Sequence, residues 1–148
     1  MTDPFHEAKQ AIADLQHVYT ATNSLGGTSV FGIPHACDLA LRALYTTAVG
    51  ADFPHDKFKP THQPESLVRK LGINSYYTSD TLSWLSNVTG RGLPDARYPN
   101  TKAYVDYTNQ GSSDLAAELL RGASTFVQET ESLAKRTDVL ALIRSNAR

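Results

Sequence analysis

The 148-residue chain has one cysteine, Cys37, one tryptophan, Trp84, and no apolar run approaching the roughly 20 residues that span a membrane. A lone cysteine excludes an intramolecular disulfide and any multi-cysteine zinc site, and it fits a reducing compartment. The five histidines, His6, His17, His35, His55 and His62, show no His-Glu-x-x-His or comparable spacing, so neither a metal site nor a cofactor is expected. An excess of one charge is missing too. The 14 Lys and Arg face 15 Asp and Glu, a formal net charge of −1, which argues against a protein that coats nucleic acid non-specifically. The N-terminus has no basic stretch leading into an apolar segment, so the chain reads as cytoplasmic, without a membrane partner. No unit of about 20 to 50 residues repeats, which excludes solenoids. What is left is one ordinary domain over residues 1–148. A chain of this length buries about 68–70% of its unfolded surface and needs no staples.

What is present is helical periodicity. Asp3-Pro4 reads as a helix start, an N-cap acid followed by proline at the first helical position. Phe5, Ala8, Ile12, Leu15 and Tyr19 then recur in alternating steps of three and four, on one face. The run from Thr22 to Ser29 is a loop by composition. A second helix should hold Ala36, Leu39, Ala40, Ala43, Leu44 and Thr47 and end near Gly50; Pro34 either sits in its first turn or kinks a helix begun near Ser29. Pro54, Pro60 and Pro64 make the next stretch an extended crossover. Glu65 to Leu71 forms a short helix stopped by Gly72.

Further on, Ser79-Asp80 caps a helix carrying Leu82, Leu85 and Val88 to Gly90, and the two prolines and glycine of residues 91–100 exclude regular structure there. The longest helix follows Gly111-Ser112-Ser113, with Leu115, Leu119, Ala123, Phe126, Thr130 and Leu133 as its stripe and Glu131 and Lys135 as a surface pair. Asp138 to Arg144 adds a short last helix. Tyr104 to Tyr107, the nearest approach to a strand, reads as loop. The expected fold is an all-α, up-and-down bundle of four to five helices, with a long loop between helices 2 and 3.

The order of these features resembles the HEPN family, the higher eukaryotes and prokaryotes nucleotide-binding domain, over roughly residues 5 to 135. The residues that carry the resemblance are the small-residue helix Ala36-Cys37-Asp38-Leu39-Ala40-Leu41-Arg42-Ala43-Leu44, Thr61-His62 ahead of Leu67 and Leu71, and Arg97-Tyr98-Pro99-Asn100 ahead of the long helix. Asp38-Leu39 stands where the family commonly has Glu-Lys, and Gln63-Pro64 departs from its Thr-His segment. The resemblance implies a helical bundle that forms a homodimer, often encoded beside a minimal nucleotidyltransferase, in a family where many members are metal-independent RNA-cleaving toxins. Those nucleases carry an arginine with a histidine after four to six intervening residues. Here Arg42 is followed at that spacing by Thr47, Ala48 and Val49, Arg69 by Asn74, Ser75 and Tyr76, and Arg91 by Ala96, Arg97 and Tyr98. No histidine follows Arg91. RNA cleavage without metal needs a group to take the 2′-hydroxyl proton and a cation beside the developing phosphorane, and the missing motif supplies both.

The expected function is therefore a HEPN-like module without catalytic residues that dimerises and binds a nucleotide, RNA or a partner protein such as a nucleotidyltransferase. The alternative is a metal-independent ribonuclease with a displaced active site. Candidate ligand-binding residues follow from charge. Residues 54–102 hold seven basic and four acidic groups, while the flanking thirds are net acidic. Lys57, Phe58 and Lys59 interleave an aromatic with two cations, which can hold a base and its phosphates, although a solvated loop explains them as well. His35 and Arg42, like His62 and Arg69, are seven residues apart, nearly two helical turns, so each pair can share a face and bind a phosphate or carboxylate. The structural reading makes His35 a first-turn residue and Arg42 a surface cation. Arg97 and Tyr98 either plug the bundle end or line a groove there. Tyr76, Tyr77 and Trp84 are candidates for a dimer surface. Cys37 reads as a buried small residue.

Overall fold

The computed structural model describes residues 3–23, 25, 27–54, 64–90 and 113–147. Six α-helices stand among them: α1 (His6–Thr22), α2 (Gly32–Val49), α3 (Pro64–Lys70), α4 (Ser79–Gly90), α5 (Ser113–Leu133) and α6 (Thr137–Asn146). No strand occurs among the described residues. The all-α expectation holds among the described residues, where both short segments expected as helices, α3 and α6, are helical. The candidate strand at 104–107 and the Leu115 side chain lie outside the described residues.

Helix α1 starts as its sequence suggests but slightly later. The Asp3 carboxylate accepts the Phe5 N–H at 2.9 Å, and the Asp3 carbonyl accepts the His6 N–H at 3.1 Å. Asp3 therefore satisfies amides ahead of the first full turn. Its other oxygen meets Lys9 Nζ at 3.0 Å, and this contact, with the Phe5 amide second, holds the carboxyl below its usual range. Lys9 also reaches Glu131 of α5 at 2.6 Å. This corrects the expected pairing of Glu131 with Lys135: α5 ends at Leu133, so Lys135 lies past the helix, while α1 brings Lys9 alongside.

Helix α2 is the centre of the molecule. Eleven of its 18 residues are buried, among them Ile33, Ala36, Cys37, Ala40, Leu41, Leu44 and Tyr45. It packs against α1, α3, α5 and α6. A helix covered this widely is apolar well beyond one stripe, and its alanines let neighbours approach closely. Thr47, assigned to the stripe from periodicity, instead faces outward and donates to the Ala43 carbonyl at 2.8 Å. Both alternatives for Pro34 are partly realised. A 3-10 turn over Gly27–Phe31 precedes α2, and Pro34 is the third residue of the α-helix, where its missing N–H has no helical partner to lose. Gly50 ends α2 at φ 76°, a left-handed conformation that glycine adopts without steric cost, and its N–H bonds to the Thr46 carbonyl at 2.8 Å.

The cap of α4 is Thr78 rather than Ser79. Thr78 Oγ1 accepts the Thr81 N–H at 3.3 Å, while Glu129 of α5 accepts the Thr78 N–H at 3.0 Å and the Thr81 hydroxyl. Tyr77, just ahead, is buried; its ring stacks on Phe126 with centroids 5.1 Å apart, and its hydroxyl bonds Thr130 Oγ1 at 2.8 Å. Trp84 lies against Gly122 so closely that a methyl group there would overlap the indole nitrogen. Tyr77 and Trp84, two of the three residues proposed for a dimer surface, thus pack within the chain, because α5 offers a flat ring and a small residue at those two levels. Tyr76 holds Arg136 over its ring at 5.0 Å.

The core has two parts. One gathers α2, α3 and α6 around Leu41, Leu44, Leu71, Phe126 and Ile143; the other gathers Leu15, Leu25, Val30, Ile33, Val88 and Leu119. Ile12 and Trp84 pack against both. Among the described residues, no helix is long and apolar enough to cross a membrane.

Candidate functional site

Three of the candidate ligand-binding residues lie within the described structure, and they occupy three different surroundings. Arg42 lines a cleft of about 460 Å³ where the start of α1, the middle of α2 and the chain just past α2 meet. Pro4 and Glu7 form one wall, Leu39 and Thr46 continue the Arg42 face of α2, and Asp52 and Phe53 close the other side. Phe53 is buried and meets Tyr45 edge-on at 5.2 Å, which anchors that wall. The spacing explains the assembly. Leu39, Arg42 and Thr46 follow each other by three and four residues and share a face, while the left-handed turn at Gly50 turns the chain as it runs on to Asp52.

His35 is not part of this cleft. Its ring stacks on Phe31, with centroids 5.9 Å apart and planes at 22°, and among the described residues its buried Nδ1 finds no hydrogen-bond partner. The seven-residue spacing does put His35 and Arg42 on one side of α2, yet the cleft forms around only the second. Arg69 is elsewhere again: it is exposed on α3, 3.9 Å from Glu65, beside a small recess of about 90 Å³ that includes Leu82 and Ser86. Glu65 also accepts a hydrogen bond from Ser86. Lys57, Lys59, His62, Arg97 and Tyr98 lie outside the described residues.

The chemistry of the Arg42 cleft is mixed. A guanidinium presents a rigid fork suited to phosphate or carboxylate. Glu7 and Asp52 are acceptors suited to hydroxyl or amino groups. Thr46 adds a hydroxyl with a distinctive setting. Thr20, Thr22, Thr47 and Thr130 each donate to the carbonyl four residues back, at 2.7–2.8 Å, the usual resting place for a hydroxyl inside a helix. Thr46 makes no such bond and opens into the cleft.

Cys37 offers no nucleophile. It is fully buried, and burial, followed by the charge of neighbouring Asp38, pushes its thiol far above the usual range. Among the described residues no group of three or more His, Cys, Asp or Glu is placed to hold a metal ion.

Periodicity located Arg42 but missed its surroundings. Thr46 had a signal, one turn after Arg42 on the same face. Glu7 and Asp52 had none, since they arrive from other segments. A second opening went unnoticed: Arg121, Ser124, Thr125 and Gln128 of α5 form, with Gln16 and Tyr19 of α1, a groove of about 460 Å³. Its signal was present as polar residues at steps of three and four opposite the apolar stripe. Comparison with family models, curated proteins and solved structures finds no match to this chain.

Proposed function

We propose that this chain is a HEPN-like helical module without catalytic activity, which dimerises and binds a nucleotide or RNA terminus in the Arg42 cleft. One observation carries the reading: a guanidinium, an uncommitted threonine hydroxyl and two carboxylates line one opening. Arginine suits the phosphate, and the acids suit ribose hydroxyls or a base amino group. The Arg97-Tyr98-Pro99-Asn100 element and the Thr61-His62 segment support the family; the absent arginine–histidine motif supports a binding role over a nuclease one. In sequence, Lys57 and Lys59 follow Phe53 of the cleft wall by four and six residues.

The test is thermal denaturation with millimolar mononucleotides, comparing the native sequence with Arg42→Gln and Thr46→Val. Ligand at 100 times Kd adds about 2.7 kcal/mol to the native chain. Either substitution removes most of that gain. No stabilisation by any nucleotide overturns the reading. Labelled RNA incubated without metal stays intact; cleavage lost on His62→Ala or Arg97→Ala would instead establish the ribonuclease. Sedimentation of the pure protein reads the dimer, and co-purification with a nucleotidyltransferase expressed beside it reads that partner.

A further inference from the structure

We infer that the groove between α1 and α5 is a second, separate binding site, for a small phosphorylated polyol of the sugar-phosphate class. Among the described residues Arg121 is the only charged group lining it, and the other polar linings are neutral: Gln16, Tyr19, Ser124, Thr125 and Gln128. This distinguishes it from the Arg42 cleft, where two carboxylates answer one cation. Among the described residues Arg121 has no ion pair and no hydrogen-bond acceptor. A lone uncompensated guanidinium recognises one anionic group, and its planar fork matches phosphate bidentately. A nucleic-acid backbone would bring several phosphates, which one cation does not neutralise.

The neutral linings define the remainder of the ligand. Ser124 and Thr125 lie mid-helix yet do not bond back to the carbonyls one turn before, unlike Thr20, Thr22, Thr47 and Thr130. The side chains of Gln16 and Gln128 are likewise uncommitted. Hydroxyls and primary amides both donate and accept, which is what adjacent sugar hydroxyls require. The volume, about 460 Å³, lies within the range of small-ligand sites. Ser and Thr are also weaker helix formers than alanine, so their presence at partly open positions of α5 is not accounted for by helix stability.

This site does not rest on the Arg42 cleft. Glu7 and Gln16, one from each opening, are nine residues apart on α1, two and a half turns, so they lie about 180° apart around it. Failure of nucleotide binding at Arg42 leaves the groove untouched, and the reverse.

The experiment titrates ribose 5-phosphate, ribose and inorganic phosphate into the labelled protein and follows backbone amide shifts. Ribose 5-phosphate moves amides of α1 around Gln16 and of α5 from Ala117 to Gln128, while ribose and phosphate alone bind about tenfold or more weakly, since each makes only part of the contacts. Arg121→Gln, at an exposed position, lowers the affinity read from those amides about tenfold. Ser124→Ala weakens binding while raising the melting temperature, because alanine favours the helix, and that opposition of sign separates site loss from unfolding. Absence of shifts in the groove amides at millimolar ligand, or an affinity read from them that is indifferent to Arg121→Gln, overturns the proposal.

Discussion

Single side chains set the closest contacts of this molecule. Trp84 seats its indole on Gly122 in the middle of α5, and its buried Nε1 finds no acceptor among the described residues. The space is there because residue 122 has no side chain. Gly122→Ala sets two effects against each other: alanine gains about 1 kcal/mol in helix propensity, whereas overpacking costs about 1–3 kcal/mol. Trp84 is packed against both parts of the core and has little room to withdraw, so the net expectation is a loss of about 1 kcal/mol in urea denaturation. In a Trp84→Leu background the same substitution becomes neutral or stabilising, a coupling that a double-mutant cycle reads directly.

Among the elements, α6 is attached to the ends of two others by specific polar contacts. It buries Val139 and Ile143. Its polar residues finish other helices: Arg144 Nε donates to the Ala48 carbonyl at 2.6 Å, and Asn146 Nδ2 donates to the Leu71 carbonyl at 2.9 Å. Ala48 is in the last turn of α2, where carbonyls lack helical partners and a cation is favoured. Arg144→Ala therefore costs about 1–2 kcal/mol, more than a typical surface substitution, since it strips a charged donor from a terminal carbonyl. Hydrogen exchange locates the effect: amides of α6 and the last turn of α2 lose protection before those of α5. Ile143→Ala, by contrast, destabilises the whole chain by about 2–5 kcal/mol.

At the scale of the whole molecule, two buried groups impose a pH dependence on folding. Burial keeps the Cys37 thiol and the Tyr77 phenol protonated, each far above its usual range, with Thr130 opposing the shift at Tyr77. The unfolded chain ionises these groups near pH 8.5 and 10, and the native chain does not. Their contribution is complete below those values and falls away as pH rises. Stability is accordingly flat from about pH 7 to 8 and declines above, with a limiting slope of about 1.4 kcal/mol per pH unit for each group. Tyr77→Phe loses about 1 kcal/mol at neutral pH with its hydrogen bond to Thr130, yet flattens the limb above about pH 10; denaturation midpoints across pH 7–11 check both signs.

What the sequence determined by itself was local. Apolar steps of three and four fixed the face of α1 through Phe5, Ala8 and Leu15, and the glycines at 50 and 72 marked where α2 and α3 stop. These signals survive without tertiary context because they depend on helix geometry and backbone sterics alone. The tertiary structure decided what lies between elements: Lys9 rather than Lys135 beside Glu131, Thr78 capped with help from Glu129, and Trp84 against Gly122. It also decided that Arg42 has Glu7 and Asp52 around it while His35 stacks on Phe31, and that Arg121 shares a groove with Gln16. Periodicity specifies the face a residue occupies on its own helix. Which residue of another helix meets it depends on how the helices pack together, and the clefts described among these residues are made of such meetings.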